Sequence, residues 1–123
     1  MKNEQKKPIY DLEERTFQFA KEVRIWIKLH QKTVANIEDC KQLVRASGSI
    51  GSNYIEANES LSKKDFVFRI KICRKEAKES AFWIRLILES NENIREEKVG
   101  KALFNEAVEL KKIFSAIEGK SKQ

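Results

Sequence analysis

The segment Ala46-Ser47-Gly48-Ser49-Ile50-Gly51-Ser52 has the composition of a flexible linker and the phase of a helix interior. Gly/Ser-rich stretches usually separate elements, and a pair of glycines inside a helix costs about 2 kcal/mol relative to alanine. The flanks nevertheless stay in register across it. Cys40, Ser47, Tyr54 and Leu61 recur on one heptad seam, and Leu43, Ile50 and Ala57 on the other, with no slip through the small residues. A linker has no reason to keep phase, so the pattern predicts one helix from Asn36 to Leu61. Its middle is shaved to small side chains, with Ser47 and Gly51 four apart, as are Gly48 and Ser52, a spacing that lets another backbone come close. A second seam, Val44, Gly48, Gly51 and Ile55, widens the apolar face to roughly 160°, where a bundle helix needs only about 100°. That width predicts a central position.

Three further helices follow from the same periodicity. Asp11, with Glu14 three residues on, is a capping-box-like start for a helix whose core face is Leu12, Thr16, Phe19, Ala20, Val23, Trp26 and Ile27. His30 to Ala35 is the connection, and Asn36, with Asp39 at the third position, is the expected cap of the second helix. Ser62 and Asp65 open a third helix to about Ser90, with Phe66, Ile70, Cys73, Ala77, Ala81, Ile84 and Leu88 on its core stripe. After the turn Ser90 to Asn93, a fourth helix near Glu96 to Glu118 packs through Val99, Leu103, Leu110, Ile113, Phe114 and Ile117, and Gly119 is its expected stop. The chain of 123 residues, 36% charged and 41% hydrophobic, has a single proline and suits one all-α domain. The expected organisation is an arm at 1–10, an antiparallel up-down-up-down four-helix bundle at 11–118 and a tail at 119–123. No stretch is apolar enough for a membrane span, and Met1 to Lys7 precede no apolar run of the kind a secretion signal needs, so a cytoplasmic protein without membrane partners is expected.

Apolar residues in excess of one core point to self-association. Phe68, Ile72, Trp83 and Leu86, interrupted by Glu79, form a second stripe on helix three, and Phe104 and Val108 lie off the core face of helix four. Such stripes predict a homo-oligomer interface with cyclic symmetry.

Catalytic and metal chemistry finds little support. The single histidine, His30, excludes most triads and the paired Glu-x-x-His of di-iron bundles, and is expected to be solvated or capping. Gly48 and Gly51 follow no strand and precede no Gly-Lys-Ser/Thr, so no phosphate loop exists. Cys40 and Cys73 fall on apolar faces and predict reduced packing residues, with nothing to activate Cys73 as a nucleophile. A non-enzyme without cofactor or metal is expected.

Charge is better organised. With 25 basic and 19 acidic residues the net charge is +6, a mild lean toward anionic partners. Lys64, Lys71, Arg74, Lys75, Lys78 and Arg85 share one flank of helix three over about 30 Å, long enough to track a phosphate backbone. No aromatic platform is read beside this row, so RNA or DNA binding without sequence preference stands against a merely solvated face. A polar stripe on helix two, Arg45, Ser49, Ser52, Asn53, Glu56 and Glu59, is either solvated surface or part of an ion-pair network in which Glu56 and Glu79 partner Arg69 or Arg74.

The run Gln42 to Ala57, with Arg45, Ser49-Ile50, Asn53 and Glu56, followed by Asp65-Phe66 and by Ala77-Lys78-Glu79-Ser80, resembles the bacterial four-helix bundle proteins named for the intervening sequences of 23S rRNA genes. Tyr10-Asp11-Leu12-Glu13 looks like the family's start, and Ala57 stands where many members have glycine. The resemblance covers nearly the whole chain. It implies an up-down bundle assembling as a ring, typically a homopentamer, with no established enzymatic activity. The chain is also similar to the accessory proteins of diversity-generating retroelements, which are basic and pentameric and bind nucleic acid and a reverse transcriptase. By resemblance, then, the partners are RNA or DNA, a protein, or both. A protein-interaction scaffold with no nucleic-acid role is the competing expectation.

Overall fold

Ala46 to Ser52 is helical throughout, in the middle of a helix running Val34–Asn58. The structure, a computed structural model, describes residues 11–122; the expected arm at 1–10 lies outside them. In chain order the elements are α1 (Leu12–Ile27), α2 (Val34–Asn58), α3 (Lys63–Ser90) and α4 (Glu97–Ser121), with no strand among the described residues. The chain is an all-α four-helix bundle in which α2 packs on α1 and α3, and α4 on α3 and α1.

Helix ends follow side-chain chemistry, with corrections. Thr33, not Asn36, caps α2, its hydroxyl accepting the Asn36 N–H at 3.1 Å. Asn36 is buried, and its side-chain amide donates to the Gln31 carbonyl and to Asn91 Oδ1, each at 2.8 Å, tying the start of α2 to the residue after α3. Ser62 caps α3 as expected, accepting the Asp65 N–H at 3.0 Å. Asp11 holds the N-cap position of α1 without a side-chain cap bond. α2 ends before Leu61, which is 98% exposed, so the heptad seam outlives the helix by one step. α4 runs through Gly119, so residues 119–121 belong to the helix rather than to a tail.

The core is built from the stripes of all four helices, with Phe19, Val23, Trp26, Leu43, Ile50, Ile70, Ile84, Leu110 and Phe114 buried. Ile87, Ala107 and Gly100 join it, while Val99 is exposed. Trp26 shows how tightly α1 meets the entry to α4. Its Nε1–H donates to the Glu96 carbonyl at 3.1 Å, and a Cβ on Gly100 would stand 2.4 Å from its ring, so only glycine fits there. His30 is buried edge-on against Trp26, with centroids 4.3 Å apart, and is not the solvated side chain expected at a helix end. Burial pushes its pKa down, because the charged ring would lose its hydration.

The wide face of α2 is only partly covered. Leu43 and Ile50 are buried, but Val44, Gly48 and Gly51 are half-buried and Ile55 is exposed. A Cβ on Gly51 would lie 3.0 Å from Thr16 Oγ1, which is pinned by donating to the Leu12 and Glu13 carbonyls. Small residues thus draw α1 close to α2, and beside that contact the second seam floors an open valley. Arg24 crosses part of it, donating to the Val44 carbonyl at 3.2 Å and the Ala20 carbonyl at 3.0 Å.

Candidate nucleic-acid interface

Helical spacing on α3 turns Lys71, Arg74, Lys75 and Lys78 outward on the side that meets α4. There α4 contributes Lys111, and together with Phe68 and Ile72 these side chains line a groove of about 470 Å³. Lys111 was not part of the sequence-derived row, because nothing in one helix's periodicity announces which residue of another helix will face it. Lys64 and Arg85 do not line the groove, and Arg85 is engaged by Glu89 at 3.0 Å.

The groove is cationic because its charges are left over. Among the described residues, Lys71, Lys75, Lys78 and Lys111 make no ion pair. Arg74 stands with its Nε 3.3 Å from Glu118, a contact of opposite charges that is not a hydrogen bond, so the buried Nε–H lacks an acceptor. Glu118 is buried and also meets Lys122 at 2.9 Å. Its carboxyl lies below the usual range because the Lys122 hydrogen bond outweighs desolvation, with the charges of Arg74, Lys122 and Lys71 adding to the effect.

The α3 apolar stripe divides in the structure. Trp83 and Phe104 are half-buried and pack against the core of their own chain, against the expectation that they stand clear of it. Val108 is half-buried and Leu86 exposed, and Glu79 is held by Arg45. Phe68 and Ile72 line the basic groove instead. No aromatic platform was read beside the cations, yet exposed aromatic side chains do stand on this face. Phe68 is 59% exposed beside them, and Phe82, missed at the sequence level, is 57% exposed farther along α3. Its signal was available, since position 82 lies four residues past Lys78 and seven past Lys75, on the same face.

Part of the polar stripe of α2 is architecture, while Ser52, Glu56 and Glu59 are exposed. Arg45 reaches the buried Glu76 at 3.4 Å and Glu79 at 3.1 Å. Asn53 donates to the carbonyl and hydroxyl of Ser49 and accepts from Arg69 at 2.8 Å. Ile50 is core and Glu56 exposed. Arg69 and Arg74 thus have partners other than the expected Glu56 and Glu79. Together these bonds strap α2 to α3.

Burial pushes the Cys73 thiol up to about 12, and its Sγ–H donates to the Ile50 carbonyl, so the thiolate a nucleophile needs is suppressed. Among the described residues no group of three or more His, Cys, Asp or Glu is placed to hold a metal ion, and no helix is long and apolar enough to cross a membrane.

Comparison with known proteins agrees with this architecture. A crystal structure of a protein of unknown function from the S23 ribosomal protein family of Bacteroides thetaiotaomicron superposes with a TM-score of 0.74 at 26% identity, covering 86% of this chain and 96% of that one. Among curated proteins no sequence matches. The family model of the 23S rRNA-intervening sequence protein matches residues 10–116, and the chain belongs to that family.

Proposed function

We propose that this protein is a cytoplasmic, non-enzymatic, antiparallel four-helix bundle that binds nucleic acid through the α3–α4 groove and works as a ring-like homo-oligomer. The observation that carries the binding reading is the groove itself, where Lys71, Arg74, Lys75 and Lys78 converge with Lys111 from another helix. A solvated face usually intersperses signs, whereas here several ammonium groups from two elements lack acidic partners among the described residues. Phosphates would replace their hydration and release condensed counterions, so affinity should fall steeply with salt. The name of the family, 23S rRNA-intervening sequence protein, points the same way. The test is fluorescence anisotropy of labelled RNA at rising salt, on the wild type and on a variant carrying Lys71→Glu, Lys75→Glu and Lys78→Glu. A steep salt slope that the variant abolishes supports the reading; equal binding by both proteins overturns it.

The oligomer part of this reading is supported by a different observation. The α1–α2 valley, about 590 Å³, is lined chiefly by apolar atoms of Phe17, Ala20, Ile25, Gly48, Gly51 and Ile55, and Ile25 is 54% exposed. An open apolar face of this kind supports self-association there rather than on the stripe of Trp83 and Phe104. Light scattering decides it: Ile25→Glu with Ile55→Glu should lower the mass to that of a monomer, and an unchanged mass would remove the valley from the interface.

A further inference from the structure

We infer that the basic face of α3 takes single-stranded nucleic acid in preference to duplex, with Phe68 and Phe82 as stacking platforms for unpaired bases. The inference rests on the nucleic-acid reading above and names the form of the ligand. Phe68 and Phe82 are both more than half exposed. At about 100° per residue they fall, with Lys64, Lys71, Lys75 and Lys78, within about 80° of arc on one face of α3. The rings are separated by about 21 Å of helix rise, with Lys71, Lys75 and Lys78 between them. Phe82 is braced edge-on by Trp83, with centroids 5.0 Å apart and planes at 81°, and Trp83 is itself packed on the core. That brace holds the ring in place before any ligand arrives.

The alternation of phenyl and ammonium selects the ligand. A protein surface apolar enough to cover the rings would bury Lys71, Lys75 and Lys78 without partners, at a heavy desolvation cost. A duplex offers phosphates to the lysines but keeps its base faces inside the helix. It would leave both rings in water. A single strand satisfies both kinds of group, since phosphates meet the ammonium row and splayed bases lie on the rings. Every base has a π-face, and the lysines and Arg74 that line the groove are taken up by phosphates in this arrangement, so binding is expected to be indifferent to sequence and nearly so to the sugar.

The experiment measures anisotropy of labelled oligouridylate, oligothymidylate and a mixed-sequence duplex, each of about 12 residues per strand, on four proteins. These are the wild type, Phe68→Ala with Phe82→Ala, Phe68→Trp with Phe82→Trp, and the triple Lys→Glu variant. The wild type should bind both single strands alike and at least about tenfold tighter than the duplex. The double alanine variant should lose about tenfold or more on single strands and nothing on duplex, and the tryptophan variant should restore it. Duplex binding equal to single-strand binding, alanine variants that bind as wild type does, or a tenfold preference between RNA and DNA overturns the inference. So does a fall in oligomer mass on removal of the phenyls, which would make them a protein contact. Loss of all binding in the lysine variant alone, with the alanine variant unaffected, leaves nucleic-acid binding standing and removes only the stacking; a lysine variant that still binds fully removes the underlying reading.

Discussion

Two helix valleys among the described residues, α1–α2 and α3–α4, have similar sizes and opposite chemistry. The α1–α2 valley is floored by small residues and rimmed by Phe17, Ile25 and Ile55, and the α3–α4 groove is lined by ammonium groups around Phe68 and Ile72. Shape alone would make them equivalent. What separates them is which atoms lose water on covering: hydrocarbon in the first, where burial stabilises by about 25 cal/mol per Å², and charge in the second, where only an anion compensates the desolvation. On the proposed reading the first would take a second copy of the chain and the second a polyanion.

The largest effects should show that the two surfaces are separable. Reversing Lys71, Lys75 and Lys78 should weaken nucleic-acid affinity by about a hundredfold or more at low salt and leave the oligomer mass unchanged, as titration and light scattering on the same samples can check. Ile25→Glu with Ile55→Glu should do the converse, dissociating the assembly while a monomer retains the salt-dependent affinity for short strands. A single set of substitutions that destroyed both properties would show the valleys to be one functional surface.

Within the apolar valley, the close approach of α1 should be sensitive to one position far more than to its neighbour. Gly51→Leu drives a side chain into Thr16, whose hydroxyl is held by two carbonyls, and should cost about 1–3 kcal/mol in denaturant unfolding. At Gly48 an added Cβ meets only the end of the Arg24 side chain, at 3.1 Å, so Gly48→Ala should be close to neutral. Equal penalties at the two positions would mean that the helices are not spaced by Gly51.

Much of the architecture was legible because helix periodicity is a local property. Unbroken phase through Ala46 to Ser52 was enough to deny a linker, and Ser62 with Asp65 located the start of α3 to the residue. The misplacements share a physical cause. Thr33 displaced Asn36 as the cap because Asn36 is needed between Gln31 and Asn91, a pairing that exists only once α2 and α3 are side by side. His30 is buried because Trp26 turns beneath it, and Trp83 and Phe104 lean on the core of their own chain only once the helices have packed. Along α3 the cations and Phe82 could be read from spacing; Lys111 depends on how α4 packs beside α3, which no single helix's pattern encodes.

Acid should act on the charged groove before the apolar valley. Glu118 titrates below the ordinary carboxylate range in the fold, so its pairing with Lys122 and Arg74 is fully present above about pH 4.5, the unfolded value, and is lost as pH falls through the depressed folded value. Thermal melts of the wild type should therefore lose stability across that window, and Glu118→Gln should flatten the loss. A variant with an unaltered acid limb would show that Glu118 is not the group that titrates.

Gly119 carries the smallest effect and separates two accounts of where the charged end of α4 stops. As a helix stop it would need a left-handed backbone, and replacing it with alanine would be costly. In the structure it has no positive φ, lies inside a helix that continues to Ser121, and has nothing within 4 Å of an added Cβ. Alanine there only removes conformational freedom from the unfolded chain, so Gly119→Ala should stabilise by about 0.5–1 kcal/mol. The extra turn also matters for the groove, because it sets Lys122 over Glu118 at 2.9 Å and so leaves the α3 cations less neutralised by that carboxylate. If the alanine variant melts lower than the wild type, α4 ends at Glu118, and that neutralisation falls to Arg74 and Lys71.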